Sequence, residues 1–464
     1  MKTDTIAAIA TAIGNSGIGI IRVSGAESTD IVDRIYRDKK HRQVLKKFES
    51  NTIHYGFIYD GFELIDEVMV SVMKRPFSFT TEDTVEINCH GGMLVMNRIL
   101  DVLINNGARL AEPGEFSKRA FLNGRIDLTE AEAVMDLISS QNDAALKNSV
   151  KQLRGEVYES VKAYRKDILH EIAFIESALD DPEHISLDDY PPILEKKADD
   201  LIMKIEKLLS TSERGKLIRE GINTVIVGKP NAGKSSLLNS LAGEERAIVT
   251  DIAGTTRDIL EENIRLKGVN LHVTDTAGIR STEDVIEKIG VEKAKKYARE
   301  ADLIIYVVDS SVPLDENDYE IIDMIENRKC IILFNKSDLD SKISFEKLKT
   351  KLKFELNKNL IFIKTSMKEN TGIDEFEEAV KKLFLKGEIS VDNEIIITNL
   401  RHKEALKEAL NSLLMVKESL KANMPEDFYS IDLMGAYTSL GKIIGEEVEE
   451  DLINEIFSSF CMGK

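Results

Sequence analysis

Hydrophobic spacing divides this chain into four stretches. In residues 1–120, short apolar runs at 5–10, 18–25, 67–73 and 84–89 alternate with turns such as Gly14-Asn15-Ser16-Gly17. Short β-branched runs bounded by glycine predict strands. Gly91-Gly92 then opens an apolar helix through Met93, Ile99, Leu100 and Leu103. The mixture predicts a small α+β domain. In residues 121–215 the period lengthens. Leu146, Val150, Leu153, Val157, Val161, Ile168, Ile172, Ile175 and Leu179 recur at helical steps. Asp180-Asp181-Pro182 ends that helix, because proline has no N–H to continue it. Ile193, Leu201, Ile205, Leu208 and Leu209 mark another helix.

Residues 216–384 alternate fully apolar strands, near 224–227, 271–274, 303–308, 331–334 and 360–363, with helical segments. Strands apolar on both faces predict a mainly parallel, doubly wound sheet with its ligand at the C-terminal edge. Residues 385–464 are helical again, with Leu406, Leu410, Leu413, Leu414, Leu433, Met434, Tyr437, Leu440, Ile443, Ile444, Val448, Leu452 and Ile456 as the apolar positions. Neither helical stretch can bury its stripe alone. They are expected to pair as one discontinuous helical domain, with the α/β unit inserted between its parts.

Composition narrows this picture. The 464 residues are 42% hydrophobic and 31% charged, which fits a multidomain globular protein. No apolar run approaches the ~20 residues that cross a bilayer, so no membrane role is expected. Met1-Lys2-Thr3-Asp4 begins no signal-peptide pattern. Three cysteines, Cys89, Cys330 and Cys461, form no C-x-x-C. That argues against a disulfide framework or zinc and fits a reducing cytoplasm. A formal charge of -19 excludes a surface that is attractive to nucleic acid overall. RNA contact would need a local basic patch or a partner.

The α/β stretch carries the candidate chemistry. Gly228-Lys229-Pro230-Asn231-Ala232-Gly233-Lys234-Ser235 has the G-x-x-x-x-G-K-[ST] spacing of a P-loop. An apolar strand precedes it, and Ser236 opens a helical segment after it. Glycines let backbone N–H groups wrap a polyphosphate at the helix N-terminus. Lys234 is placed for the β- and γ-phosphates, and Ser235 for Mg²⁺. Asn335-Lys336-Ser337-Asp338 has the N-K-x-D pattern, in which the Asp carboxylate accepts from guanine N1–H and the 2-amino group. Adenine lacks that donor pair. Asp275-Thr276-Ala277-Gly278 fits a D-x-x-G motif that holds Mg²⁺ and senses the γ-phosphate. Ser366-Met367-Lys368, after Thr365, is a weaker match to the last guanine-contacting loop. Four signals in this order predict a GTP site.

One part is missing. Many GTPases place glutamine after D-x-x-G to orient water, but this chain has Ile279. Glu283, Asp284 and Glu287 follow, and they fit a solvated helix start as well as they fit a base. Arg257 and Arg280 are the arginines nearby. The switch position holds Thr250-Asp251-Ile252-Ala253-Gly254-Thr255-Thr256, with Thr256 as a second Mg²⁺ ligand. Carbonyls of that loop and the Asn231 side chain can hold a monovalent cation, supplying an arginine's charge. In the first domain Arg22, Glu86, Lys118, Arg119 and Arg125 fit solvated strand and loop charges as well as an anion-and-amide pocket.

GKPNAGKSSLL (228–238), TDIAGTTRD (250–258) and DTAGIR (275–280) resemble the TrmE–Era class of GTPases. PGEFSKRAFLNG (113–124) and the tail Phe460-Cys461-Met462-Gly463-Lys464 narrow the resemblance, end to end, to the MnmE (TrmE) family of tRNA modification GTPases. That resemblance implies the following. The N-terminal domain (1–120) binds 5-formyltetrahydrofolate through Arg22, Glu86, Arg125 and Lys464, and makes the protein a homodimer. The helical domain comprises 121–215 and 385–464, around a Ras-like GTPase domain (216–384). Asn231, Thr250, Ile252 and Thr255 match a potassium site, Ser235 and Thr256 the Mg²⁺ ligands, and Glu287 the residue that orients water. Cys461 matches a thiol needed for modification. With a flavin-dependent MnmG-type partner, the family adds an aminomethyl-type group at carbon 5 of the wobble uridine of certain tRNAs. Two other readings stand beside it. One is an Era-like ribosome-assembly switch, which would want a basic RNA-binding domain after residue 385. The other is a folate enzyme with a regulatory GTPase.

Overall fold

In the computed structural model, alternation of buried and exposed residues builds a first sheet in the order β3-β4-β5-β6-β2-β1-β7. The strands are β1 (Ile6–Ile9), β2 (Ser16–Ser24), β3 (Tyr36–Arg37), β4 (Thr52–Asp60), β5 (Glu63–Met73), β6 (Thr84–Gly91) and β7 (Arg109–Leu110). Only β1 and β7 pair in parallel. Helices α1 (Ser28–Ile35) and α2 (Met93–Asn105) cover one face, burying Ile31, Val32, Met96, Ile99 and Leu103 against Ile21, Val70 and Ile87. Burying each such side chain contributes about 1.5–3 kcal/mol. The structure describes residues 4–242, 261–266, 269–275, 297–325, 328–343, 359–384, 394–460 and 463.

The second sheet has the order β13-β12-β11-β8-β10-β9. It comprises β8 (Ile222–Val227), β9 (Glu261–Leu266), β10 (Val269–Asp275), β11 (Leu303–Asp309), β12 (Cys330–Asn335) and β13 (Leu360–Lys364). All pairings are parallel except β9–β10. Such a sheet is buried on both sides, and two apolar clusters, one around Leu237 and Phe376 and one around Tyr306 and Ile322, cover its faces.

The described helices between and after the sheets are α3 (Glu115–Leu122), α4 (Leu128–Ser139), α5 (Asp143–Leu153), α6 (Glu156–Asp180), α7 (Pro191–Ser210), α8 (Ser212–Glu220), α9 (Lys234–Ala242), α10 (Glu316–Met324), α11 (Ile373–Phe384), α12 (Leu400–Lys421), α13 (Glu426–Ile444) and α14 (Glu450–Ser458). Two compact units result. One comprises Met1–Met135, Gln152–Leu194 and Asn411–Lys464; the other comprises Asp136–Lys151 and Glu195–Leu410. In the first unit α6 packs on α13, so the helical stretches before and after the α/β unit do pair. Arg165 lies 4.0 Å over the Tyr437 ring and pairs with Glu446, while Tyr190 donates to Glu171 at 2.7 Å.

The sequence pattern misses several features. β2 starts at Ser16, so Ser16 and Gly17 belong to a strand rather than a turn. β4 escapes because Gly56 interrupts its pattern; a Cβ there would sit 2.3 Å from the Tyr36 ring, so strand packing requires the glycine. β9, EENIRL, is a charged edge strand with no apolar run to betray it. The stripe from Leu146 to Leu179 also proves to be two helices, broken at Gly155, which has φ +79°. On α5 the buried face is Ala144, Ala145, Asn148 and Ser149, while Leu146 is 45% exposed. Small residues allow close approach there, with Asn142 Nδ2 donating to the Ile218 carbonyl at 3.1 Å.

Candidate functional site

The described motif residues of the α/β stretch fall at the C-terminal edge of the second sheet. The P-loop follows β8, Asp275 ends β10, Asn335 ends β12, and Ser366 follows β13. Two glycines make the loop. Gly228 has φ +150°, and a Cβ would lie 2.3 Å from the Val307 carbonyl oxygen of β11. Gly233 has φ +109°, with a Cβ position 2.0 Å from Asn335 Nδ2. Asn231 also takes a positive φ of 60°. Lys234 starts α9, and its Nζ donates to the carbonyls of Gly228 at 2.6 Å and Lys229 at 2.8 Å. The ammonium therefore lies along the loop, where it faces phosphate oxygens in this class of site. Ser235 and Ser236 occupy the first turn of α9, whose N-terminal amides favour an anion.

Asn335 is 2% exposed and ties three loops together. Its Nδ2 donates to the Ala232 carbonyl at 2.8 Å, and its Oδ1 accepts from Met367 N–H at 3.2 Å. Ser337 N–H donates to the Thr365 carbonyl at 3.1 Å. Asp338 Oδ1 accepts from Ser366 Oγ at 2.7 Å, and this bond above all holds the Asp338 carboxyl below its usual range. The carboxylate stays ionised and oriented, ready to accept a pair of N–H donors. Lys368 adds a further positive charge beside it.

Sequence reasoning missed two supports of this edge. Lys336 has φ +60° and its Nζ meets Asp309 Oδ2 at 2.5 Å, at the end of β11. Burial raises the Asp309 carboxyl, but the Lys336 and Ser311 hydrogen bonds outweigh it and hold the group low. Lys229, inside the P-loop, pairs with Asp318 at 2.6 Å and Asp315 at 2.9 Å, in the capping box of α10. Tyr306 donates to Asp318 at 2.8 Å from a fully buried position. Asp309 at a parallel strand's C-terminal end is the one of these with a sequence signal. A cavity of about 680 Å³ in the same unit lies at the opposite edge, by Asn223, Asp302, Lys329 and Asn359 at the strand starts. None of the motif residues lines it.

Several expected site residues lie outside the described residues: Thr250, Asp251, Ile252, Ala253, Gly254, Thr255, Thr256, Thr276, Ala277, Gly278, Glu287, Cys461 and Lys464. The same holds for Arg257, Ile279, Arg280, Glu283, Asp284 and Met462.

In the first unit a second cluster forms. Arg22 on β2 stands directly opposite Glu86 on β6, and Nε donates to Oε1 at 2.8 Å. Arg22 Nη1 also donates to the Gly463 carbonyl at 3.2 Å. The Arg22 guanidinium lies 5.5 Å from the Phe116 ring centre and 5.8 Å from that of Phe79, over which Arg125 lies at 5.2 Å. Sheet register thus sets Arg22 against Glu86 beside the tail, and the shared Phe79 ring brings in Arg125 from the loop after α3. Gly463 fits because it has φ +86° and a Cβ would meet the Ile9 carbonyl at 2.3 Å. Arg119 is not part of that cluster. It is buried in a separate network with Asp4, Glu82 and Glu115, at 3.1, 3.1 and 2.9 Å. Lys118 Nζ donates to Asn454 at 2.6 Å. Among the described residues no helix is long and apolar enough to cross a membrane.

The parallel sheet, its P-loop and its guanine-type loops define a multidomain P-loop GTPase. Family models for the GTP-binding protein TrmE N-terminus and the MnmE helical domain match residues 5–125 and 128–461. A tRNA modification GTPase MnmE of Lachnoclostridium phytofermentans is 54% identical, and one of Acetivibrio thermocellus 48%, each with 100% of both chains covered. A solved G domain of the T. maritima FeoB iron transporter is 26% identical, covering 35% of this chain and 98% of that one, with a TM-score of 0.27. The chain belongs to the MnmE family of tRNA modification GTPases.

Proposed function

We propose that this chain hydrolyses GTP to drive, with a flavin-dependent MnmG-type partner, addition of an aminomethyl-type (carboxymethylaminomethyl) group at carbon 5 of the wobble uridine of certain tRNAs. One observation carries this reading: tRNA modification GTPases match the chain from end to end. The loop edge supports the nucleotide half. Lys234 and the α9 amides face the phosphates, Ser235 and Thr256 hold Mg²⁺, and Asp338 accepts from guanine. Glu287 orients water in place of the absent glutamine. Asn231, Thr250, Ile252 and Thr255 hold K⁺, which supplies positive charge beside the phosphates. Asn231 takes a left-handed backbone conformation within the loop, with φ 60°.

The Arg22, Glu86 and Arg125 cluster, with Lys464, binds 5-formyltetrahydrofolate. Its paired arginines and an amide-accepting carboxylate fit a ligand with carboxylates and an aminopyrimidine. Cys461 serves modification rather than folding. The protein works as a homodimer in a reducing cytoplasm, and its nucleotide domains close on each other with GTP. An Era-like switch is disfavoured because α12, α13 and α14 follow the GTPase unit without a basic RNA-binding domain.

Two measurements check this reading. GTP turnover in K⁺ is expected to exceed turnover in Na⁺ at least tenfold, a barrier difference of about 1.4 kcal/mol. Equal rates in the two salts would remove the cation site. Mass spectrometry of tRNA nucleosides from cells lacking the protein is expected to show loss of the wobble-uridine modification. Unchanged nucleosides would overturn the assignment.

A further inference from the structure

A strongly basic face stands out on this acidic chain. Between Arg34 and Lys47 the sequence holds seven Lys or Arg against one Asp, a formal +6 within a chain of -19. The segment runs from the end of α1 through β3 to a short loop, and Lys39, Lys40, Arg42, Lys46 and Lys47 are all exposed. Beside it, β4 turns Tyr55, Phe57 and Tyr59 to its outer face, half-buried, while Gly56 and Ile58 face inward. Basic groups sit on these rings. Lys39 Nζ lies 4.5 Å over the Tyr55 ring, and His41 stacks on Phe57 at 6.4 Å between centroids.

Acidic groups neutralise only part of the face. Arg42 pairs with Asp38 at 2.7 Å and Lys46 with Asp30 at 2.5 Å. Glu67 on β5 stands opposite Phe57, and its carboxylate pushes the Tyr55 hydroxyl pKa up. Among the described residues, Lys40 and Lys47 have no carboxylate within ion-pair distance. A simple solvated loop has no need of so much uncompensated charge beside a row of aromatic rings. Phosphate backbones attract such charge through counterion release, and unpaired bases stack on aromatic faces with adjacent cations.

We propose that the Arg34–Lys47 segment and the outer face of β4 form a tRNA-contact surface of this chain. The proposal uses the tRNA substrate of the proposed function but none of its folate or potassium assignments. It also meets the demand that the chain's net charge makes: RNA contact through a local patch.

The test uses the full-length dimer and unmodified tRNA, with fluorescence anisotropy over a salt series. Lys40→Glu combined with Lys47→Glu is the patch variant. Lys196→Glu combined with Lys207→Glu, exposed on α7, makes the same change of net charge elsewhere. The patch variant is expected to bind tRNA at least tenfold more weakly than wild type, with a log–log salt slope shallower by about one to two. The control pair should stay within threefold. GTP hydrolysis without tRNA and the dimer mass by light scattering should be unchanged in both. Equal loss in both variants, or no loss in the patch variant, overturns the surface. So does a wild-type protein that shows no salt-dependent tRNA binding, while GTP turnover keeps the GTPase reading intact. A patch variant that becomes monomeric would identify the face as a contact between copies instead.

Discussion

Replacing Asp338 with asparagine is expected to weaken GTP binding by a few hundredfold and to reverse the preference toward xanthosine triphosphate. In wild type the carboxylate is ionised and is aimed by the Ser366 hydroxyl at 2.7 Å. In the proposed GTP complex its oxygens accept from the N1–H and 2-amino group of guanine. An amide brings an NH₂ against those donors, so one charge-assisted bond is lost and a donor faces a donor. The two effects together cost about 3–4 kcal/mol. Xanthine carries a carbonyl at the same carbon, which the new amide can meet. Titration of fluorescent nucleotides reads both affinities. A variant that binds GTP within threefold of wild type would show that Asp338 does not read the base.

Arg119→Ala is expected to destabilise the first unit by about 3–5 kcal/mol, the cost of breaking a buried ion pair from one side. The guanidinium side chain is 8% exposed and meets Glu115, 10% exposed, and Glu82, 12% exposed. Arg109 remains on Glu115 at 2.6 Å, but Glu82 is left without that cation. Hydrogen exchange of β1 amides in the full chain measures the loss locally, free of the nucleotide domain.

The effect carries a pH signature. Burial raises the Glu115 carboxyl, yet the Arg109 and Arg119 hydrogen bonds outweigh it and hold the carboxyl below its usual range. A carboxylate depressed in the folded state stabilises above its unfolded pKa of about 4.3. That contribution disappears as pH falls through the folded value. Wild type should therefore lose β1 protection below about pH 4, and the gap to Arg119→Ala should narrow there. A gap that stays constant from pH 7 to pH 3.5 would place the Arg119 contribution in packing alone.

Periodicity finds the elements whose burial is one-sided or complete. The five parallel strands of the second sheet are apolar on both faces, so each announces itself. β4 and β9 do not, because the first is cut by Gly56 and the second is a charged edge. The α5 face fails for a related reason. Leu146 points outward, and the buried surface holds Ala, Asn and Ser, residues whose value lies in small size and hydrogen bonds. Linear pattern carries hydrophobicity well and shape poorly.

The same division applies to the sites. Residues that act through spacing along the chain, such as Gly228 to Ser235 and Asn335 to Asp338, are legible as motifs. The loops between Val227 and Lys234 can wrap phosphate only with glycines at fixed offsets. Residues that act through space are not legible. Arg119 on α3 and Arg22 on β2 are both arginines of the first domain, yet Arg119 is locked in a buried network and Arg22 faces Glu86 and the tail. Asp318 looks like any helix-start acid until α10 brings it against Lys229.

The amino-acid order alone established a guanine-type P-loop unit, its place between two helical stretches, and the need for a local basic patch if RNA is to be touched. These follow from local bonding rules, which depend on neighbours a few positions away. Tertiary structure decided which arginine is structural, what Asn335 ties together, and that the basic segment after α1 lies beside the aromatic row of β4. Those facts depend on tertiary contacts such as the sheet register that sets Arg22 opposite Glu86, 64 positions away, and no local rule encodes them.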